Sequence, residues 1–339
     1  MEERYSRQTL FAGIGEAGQR KLAEKHVLIV GSGALGTGNA EILTRAGVGK
    51  LTIVDRDYVE WSNLQRQQLF TEKDAIERIP KAISAKKRLE QINSKTIIEA
   101  QIMDININEI HPLTEQVDLI IDGTDNFETR MLLNDISQRK KIPWILGACV
   151  GSYGLSYCII PDQTPCFACL LEKVPIGGAT CDTAGIIAPT VQMVVSYQTA
   201  EALKVLTEEV DALRNKLVSF DLWKNQHAMI GVNKLKKDTC PSCGTNPVYP
   251  YLQIENQTKT AVLCGRNTVQ IRPPIKQKLD LHILANTLSK LGGQLKTNPY
   301  LISFKKDAHR LVIFQDGRVL VHGTKDIAKA KTLYHRYVG

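Results

Sequence analysis

The first 150 residues carry short apolar runs, each closed by glycine or an acidic residue and separated by stretches of helical periodicity. H-V-L-I-V-G, from His26 to Gly31, is too short for a helix and almost wholly apolar, which predicts a strand covered on both faces. A helix from Gly33 to Ala46 follows. Leu51 to Asp55 predicts a second strand, Thr96 to Met103 a third, Asp118 to Asp122 a fourth and Pro143 to Gly147 a fifth. Helices at Pro80 to Asn93 and Asn126 to Arg139 lie between them. This alternation predicts an α/β fold, a Rossmann-like doubly wound sheet that is parallel in its first half.

The pattern changes beyond residue 150. Weak alternation from Gly154 to Ile160, a long helix from about Ala188 to Glu209, and strands at Lys216 to Asp221 and His227 to Val232 predict an antiparallel extension of the same sheet. Prolines at 247, 250, 273 and 274 set off a tail. There the expected order is a helix from Asp280 to Leu291, a strand from Tyr300 to Phe304, a hairpin, and a closing helix from Asp326 to Tyr337. The hairpin joins Arg310–Gln315 to Arg318–His322 through Asp316-Gly317, residues that tolerate positive φ. The expected organisation is one domain over 1–247 and a small α+β domain over 251–339.

With 43% of its 339 residues hydrophobic, the chain can build a large core. No apolar run approaches the ~18 residues of a membrane span, and the N-terminus has no signal-like apolar segment. A soluble cytoplasmic protein that does not engage membrane is expected. The formal charge of +8 is uneven: residues 1–250 hold 28 Lys/Arg against 30 Asp/Glu, and residues 251–339 hold 15 against 5. The basic tail suits an acidic partner, or is a solvated surface.

G-S-G-A-L-G, from Gly31 to Gly36, sits where strand gives way to helix. Gly31, Gly33 and Gly36 would let backbone N–H groups approach a phosphate at the helix N-terminus. Asp55 ends the next strand, 19 residues after Gly36, in place for ribose hydroxyls. So far this specifies an adenine nucleotide, with NAD as the default. The strip D-R-D-Y-V-E-W-S-N-L-Q-R-Q, Asp55 to Gln67, argues for ATP. Attack on the α-phosphate builds charge on phosphoryl oxygens and on leaving pyrophosphate, and cations must meet it. Arg66 and Lys81 are such cations, and Asn63 can orient a phosphate or hydroxyl. D-G-T-D-N, Asp122 to Asn126, ends the fourth strand at the carboxyl edge where open sheets bind ligands. Asp125 could hold Mg²⁺, with Asn126 beside it. Taken singly, each residue also reads as a surface ion pair or a cap; Asp125 and Asn126 could simply cap the next helix.

Two Cys-x-x-Cys turns, Cys166/Cys169 and Cys240/Cys243, can complete a tetrahedral Cys₄ zinc site across a 70-residue gap. Four protein ligands make such a site structural; a redox pair is the alternative. Cys181, in a glycine-rich segment, is a candidate acceptor for acyl or sulfur transfer, or a neutral free thiol. Cys264 has no assignment.

From about residue 3 to residue 245 the chain closely resembles the E1-like adenylyltransferases of the ThiF/MoeB/HesA family, which activate sulfur-carrier proteins. The likeness rests on R-Y-S-R-Q (Arg4 to Gln8), the glycine loop, the Asp55–Gln67 strip, Pro80-Lys81, D-G-T-D-N-F-E-T-R (Asp122 to Arg130), both cysteine pairs and T-C-D-T-A-G (Thr180 to Gly185). The resemblance implies a homodimer that binds MgATP and adenylylates the C-terminal Gly-Gly carboxylate of a ubiquitin-like sulfur carrier, for molybdopterin or thiamin biosynthesis. It implies Asp55 on the ribose, Asn63, Arg66 and Lys81 on the phosphates, and Asp125 on magnesium. Arg7 would reach into the neighbouring subunit's site, and Cys181 matches a cysteine that in some members links to the carrier. No persulfide-bearing loop is recognisable, so sulfur would come from a separate donor such as a cysteine desulfurase. The tail resembles the extra C-terminal segment of Bacillus-like members. Three other readings are an NAD-dependent oxidoreductase, which leaves Arg66, Lys81 and Asp125 idle; a nucleotide-dependent binding scaffold; and an E1-like tRNA-modifying dehydratase.

Overall fold

The computed structural model describes residues 3–171, 184–253, 267–273 and 278–338, and the backbone of 260–262. The chain forms two compact units, one of Met1–Ile76 with Pro80–Asn256, the other of Glu77–Ile79 with Gln257–Gly339.

The first unit is built on eight strands: β1 (His26–Val30), β2 (Lys50–Asp55), β3 (Ile97–Ile102), β4 (Leu119–Asp122), β5 (Trp144–Val150), β6 (Tyr153–Ile159), β7 (Leu217–Asp221) and β8 (Gln226–Ile230). Their order is β3-β2-β1-β4-β5-β6-β7-β8. The first five are parallel, and β6, β7 and β8 run antiparallel to their neighbours. This is the Rossmann-like sheet with antiparallel extension that the sequence predicts. Alternate residues of the central strands feed two different cores. Val27, Ile29, Ile53 and Ile121 pack into one, with Leu43 and Leu89 from the helices Ala34–Ala46 and Lys81–Ile92. Leu28, Val30, Ile120 and Trp144 pack into the other, with Leu133 and Ile136 from the helix Phe127–Lys140. Burial on both faces is why these strands read as unbroken apolar runs. The chain reverses its winding between β1 and β4, and a ligand crevice is expected at their carboxyl ends. No helix of the described residues is long and apolar enough to cross a membrane.

Five α-helices among the described residues up to 171 were not expected: Ser6–Thr9, Gly15–Glu24, Glu72–Glu77, Phe167–Leu171 and Ile107–Leu113. The last contains Pro112, which reads in sequence as a breaker.

The second unit is a six-stranded antiparallel sheet. It comprises β9 (Thr260–Val262), β10 (Thr268–Ile271), β11 (Gln294–Thr297), β12 (Leu301–Lys306), β13 (His309–Phe314) and β14 (Val319–His322), in the order β11-β12-β13-β14-β10-β9. Asp280 and Asp326 cap the helices Leu281–Ser289 and Ile327–Tyr337 by accepting two backbone N–H bonds each. Leu288, Ala330, Tyr334 and Tyr337 from these helices share a core with Phe304, Ile313 and Val321. The pattern predicts three strands here and misses β9, β10 and β11. These are three or four residues long, and polar residues interrupt their apolar character.

Candidate functional site

The crevice at the β1/β4 switch is closed from below by glycine contacts. Gly31 has φ +90°, and a Cβ on it would stand 2.5 Å from the Gly123 carbonyl; one on Gly36 would stand 1.8 Å from the Gly31 carbonyl. These two glycines let the first turn of the Ala34–Ala46 helix fold onto β1 and the β4 turn. Gly33 differs: a Cβ there would meet nothing nearer than 3.9 Å, so the loop opens toward the surface at the helix N-terminus. Gly36→Ala is therefore expected to cost more than about 3 kcal/mol, because backbone must move. Gly33→Ala should fold normally yet bind nucleotide more weakly. Urea unfolding and calorimetric ATP titration of the two variants check the contrast; equal stability losses would refute it.

The Asp55 carboxylate accepts the N–H groups of Ser32 in the glycine loop and of Asp57, both at 2.6 Å. Burial pushes its carboxyl above the usual range, with Asp57 adding to the effect and Lys81 opposing it. Lys81 begins its helix at Pro80, 4% exposed, with its N–H bonded to the Asp57 carbonyl and its Nζ 3.9 Å from the Asp57 carboxylate. Asp57, which the sequence left without a role, thus holds Lys81 in place. Arg56 pairs with Asp104 at 3.3 Å. Burial works against its charge, but Asp104, Asp57, Asp125 and Asp55 together hold the guanidinium protonated above its ordinary value. Arg56 therefore joins Lys81 as a fixed cation among these carboxylates.

Asn63 is 2% exposed, and its Oδ1 accepts the Glu60 N–H in a reciprocal cap of the turn Trp61–Asn63. Arg66 is half-buried and its Nη1 donates to the Ser62 carbonyl; among the described residues it pairs with no carboxylate. Gln67, which sequence reasoning passed over, is 4% exposed. Its Nε2 faces Gly33, and its Oε1 has no hydrogen-bond partner among the described residues.

At the end of β4, buried Asp122 accepts the N–H and Oγ1–H of Thr124 and the Nε–H of Arg130 at 2.8 Å. Arg130 also donates to the carbonyls of Thr124 and Gly147. This buried ion pair, also missed, shapes the turn that presents Asp125. Asp125 is exposed and makes no hydrogen bond among the described residues. Asn126 caps the helix Phe127–Lys140, its Oδ1 accepting the Thr129 N–H. Gly31, Gly33, Gly36, Asp55, Lys81, Asp125 and Asn126 thus lie at or beside the ends of β1, β2 and β4, whereas Asn63 and Arg66 lie in a separate turn that meets the glycine loop through Gln67.

Arg7 lies elsewhere. Its arm is fastened by bonds from Gln8 to the Ala46 carbonyl, from Arg4 to the Ile92 carbonyl and from Asn93 to the Tyr5 hydroxyl. Ala46 and Ile92 end the two helices whose beginnings face the crevice. The 13-residue Ala34–Ala46 helix alone is about 20 Å long. Arg7 is exposed, beside the ends of those helices that are remote from the crevice.

The sulfurs of Cys166, Cys169, Cys240 and Cys243 lie within 4.8 Å of one another. The separations of 3.9 Å (166–169), 3.6 Å (166–240) and 3.6 Å (169–243) match the ~3.8 Å edge of a tetrahedron with ~2.3 Å metal–sulfur arms. Four soft donors in that geometry fit zinc. Cys181 and Cys264 lie outside the described residues.

The ThiF family model matches residues 5–242. A Bacillus subtilis (strain 168) protein named sulfur carrier protein ThiS adenylyltransferase is 54% identical over 340 residues, covering all of both chains. The molybdopterin-synthase adenylyltransferase of Escherichia coli (strain K12) is 34% identical over 242 residues, 71% of this chain and 96% of its own. Among solved structures, E. coli MccB with ATP superposes with a TM-score of 0.63 at 24% identity, over 72% of this chain and 74% of that one. The last likeness speaks for the fold alone.

Proposed function

The chain belongs to the ThiF family, and on that premise we propose that it adenylylates the C-terminal Gly-Gly carboxylate of a ubiquitin-like sulfur carrier, using MgATP and releasing pyrophosphate. The observation that carries this reading is that the glycine loop is bonded to the Asp55 carboxylate, with Lys81 and the exposed Asp125 beside it at the strand ends. The full-length match to a ThiS adenylyltransferase includes residues 250–339, and favours a ThiS-type carrier over a molybdopterin-type one.

The carrier carboxylate is ionised near neutral pH, so no general base is required. It attacks the α-phosphorus; the new C–O–P bond forms as the bond to the bridging oxygen breaks, and pyrophosphate leaves with the electron pair. The helix N-terminus at Gly33 receives phosphate oxygens, and Asp55 holds the ribose. Asn63, whose Oδ1 is committed to its turn, presents Nδ2. Lys81, fixed by Asp57, and Arg66, free to swing from the Ser62 carbonyl, meet the charge that develops. Asp125 would hold Mg²⁺, which neutralises phosphoryl charge; Asn126 supports that turn as a cap. Arg7 of the partner subunit completes the site in a homodimer, which accounts for its position far from its own crevice. The four-cysteine cluster holds structural zinc, Cys181 would be the acceptor where the activated carrier is linked through sulfur, and a separate sulfur donor follows the adenylylation.

Carrier-dependent exchange of labelled pyrophosphate into ATP tests the proposal. Exchange is expected with the ThiS-type carrier and should vanish when its last glycine is removed. ATP binding without exchange on either carrier type would overturn it.

A further inference from the structure

One helix joins the cysteine cluster to the Asp125 turn. Phe127–Lys140 begins directly after Asp125 and its cap Asn126. The ring of Phe127 lies 6.2 Å from that of Phe167, tilted by 51°. Phe167 stands between Cys166 and Cys169, fully buried, and meets Trp144 of β5 edge-on at 5.7 Å. Two turns along the same helix, Asn134 Oδ1 accepts the Phe167 N–H at 2.8 Å, and its Nδ2 donates to Asp135. Asp135 in turn accepts the N–H of Tyr251, just beyond Cys243, at 2.8 Å. Asn134 and Asp135 are fully buried. The helix is thus pinned beside both cysteine pairs, and its leading end carries Asp125. Phe127 is 51% exposed, so burial alone does not fix it, and among the described residues Phe167 is its aromatic neighbour.

We infer that Phe167 and Phe127 form a positioning link through which a metal-locked Cys166–Cys169 turn sets the Asp125 turn. A closed four-cysteine site fixes the backbone on either side of Phe167, so its ring becomes a rigid stop for Phe127. An aromatic pair of this kind shifts a two-state equilibrium about 2- to 10-fold. Asn126, Asp122 and Arg130 keep their own bonds when the Phe127 ring is lost, so the turn loosens without unfolding. Phe127 is a positioning residue; its consequence for MgATP rests on the proposed role of Asp125, whereas the link itself does not.

The test uses zinc-loaded, full-length protein and the variants Phe127→Ala and Phe127→Leu. Backbone amide exchange over residues 123–130 is measured with zinc content determined on the same samples. Phe127→Ala should speed exchange there about 2- to 10-fold while zinc remains stoichiometric, and Phe127→Leu should fall between. Unchanged exchange in zinc-loaded Phe127→Ala would overturn the link. A second readout is the equilibrium affinity for zinc, measured by competition with a chelator. Reciprocity requires MgATP to tighten zinc in the wild type by the factor with which zinc tightens MgATP, and Phe127→Ala should lose that effect. Faster exchange in Phe127→Ala with no MgATP effect on wild-type zinc affinity would support the link to the turn and refute its coupling to MgATP.

Discussion

Asp125→Ala is expected to lower carrier-dependent pyrophosphate exchange roughly 100- to 1,000-fold, the scale on which removing one preorganised electrostatic group acts. The same substitution should leave the melting temperature within about 1–2 °C of wild type. Asp125 is exposed and makes no hydrogen bond among the described residues, and surface changes of that sort shift stability by less than about 0.5 kcal/mol. Asn126→Ala should do the opposite. It removes the helix cap, costs about 1 kcal/mol, and retains most activity. Pyrophosphate exchange and thermal melts on both variants read the contrast, and substantial activity in Asp125→Ala would remove it from the magnesium role. The same variant tests the reach of Arg7. In a symmetric dimer, a mixed pair of one Arg7→Ala chain and one Asp125→Ala chain holds one site with both residues intact. Mixing the two inactive proteins should therefore restore exchange. If mixtures stay inactive, Arg7 does not act across the dimer.

The parallel strands were legible because they are buried on both faces, so H-V-L-I-V and L-I-I-D declare themselves without alternation. The glycine loop was legible because sterics leave no substitute: neither Gly31 nor Gly36 has room for a Cβ. What sequence could not show were roles made by contacts distant in the chain. Asp57 matters through Lys81, 24 positions on, and Asp122 through Arg130 and the Gly147 carbonyl. Gln198 supports the same turn by donating to the Asp122 carbonyl while accepting from Asn39, 159 residues away. Such groups look like ordinary surface polars in a one-dimensional reading. The short strands β10 and β11 were missed for a related reason, since their register is imposed by β14 and β12 rather than by their own pattern.

Cys240→Ser should release zinc and lower the melting temperature by about 10 °C. The cluster ties the turn after β6 to a segment more than seventy residues away, and each cysteine supplies one corner of the tetrahedron. Zinc binding to isolated Cys-rich peptides is worth about 10–16 kcal/mol. A unit with two large cores of its own depends on the metal for only part of its stability, so a loss of roughly 3–5 kcal/mol is the expectation, which in a unit of this size corresponds to that shift. The redox alternative predicts a different outcome. A disulfide needs sulfurs about 2.05 Å apart, whereas Cys166–Cys169, Cys166–Cys240 and Cys169–Cys243 are at 3.6–3.9 Å and all four sulfurs lie within 4.8 Å of one another. Elemental analysis beside a thermal melt, with and without dithiothreitol, decides. Zinc at one per chain and a reductant-insensitive melt in the wild type, both lost in Cys240→Ser, would establish the metal site. Full zinc content with an unchanged melt in the variant would refute it.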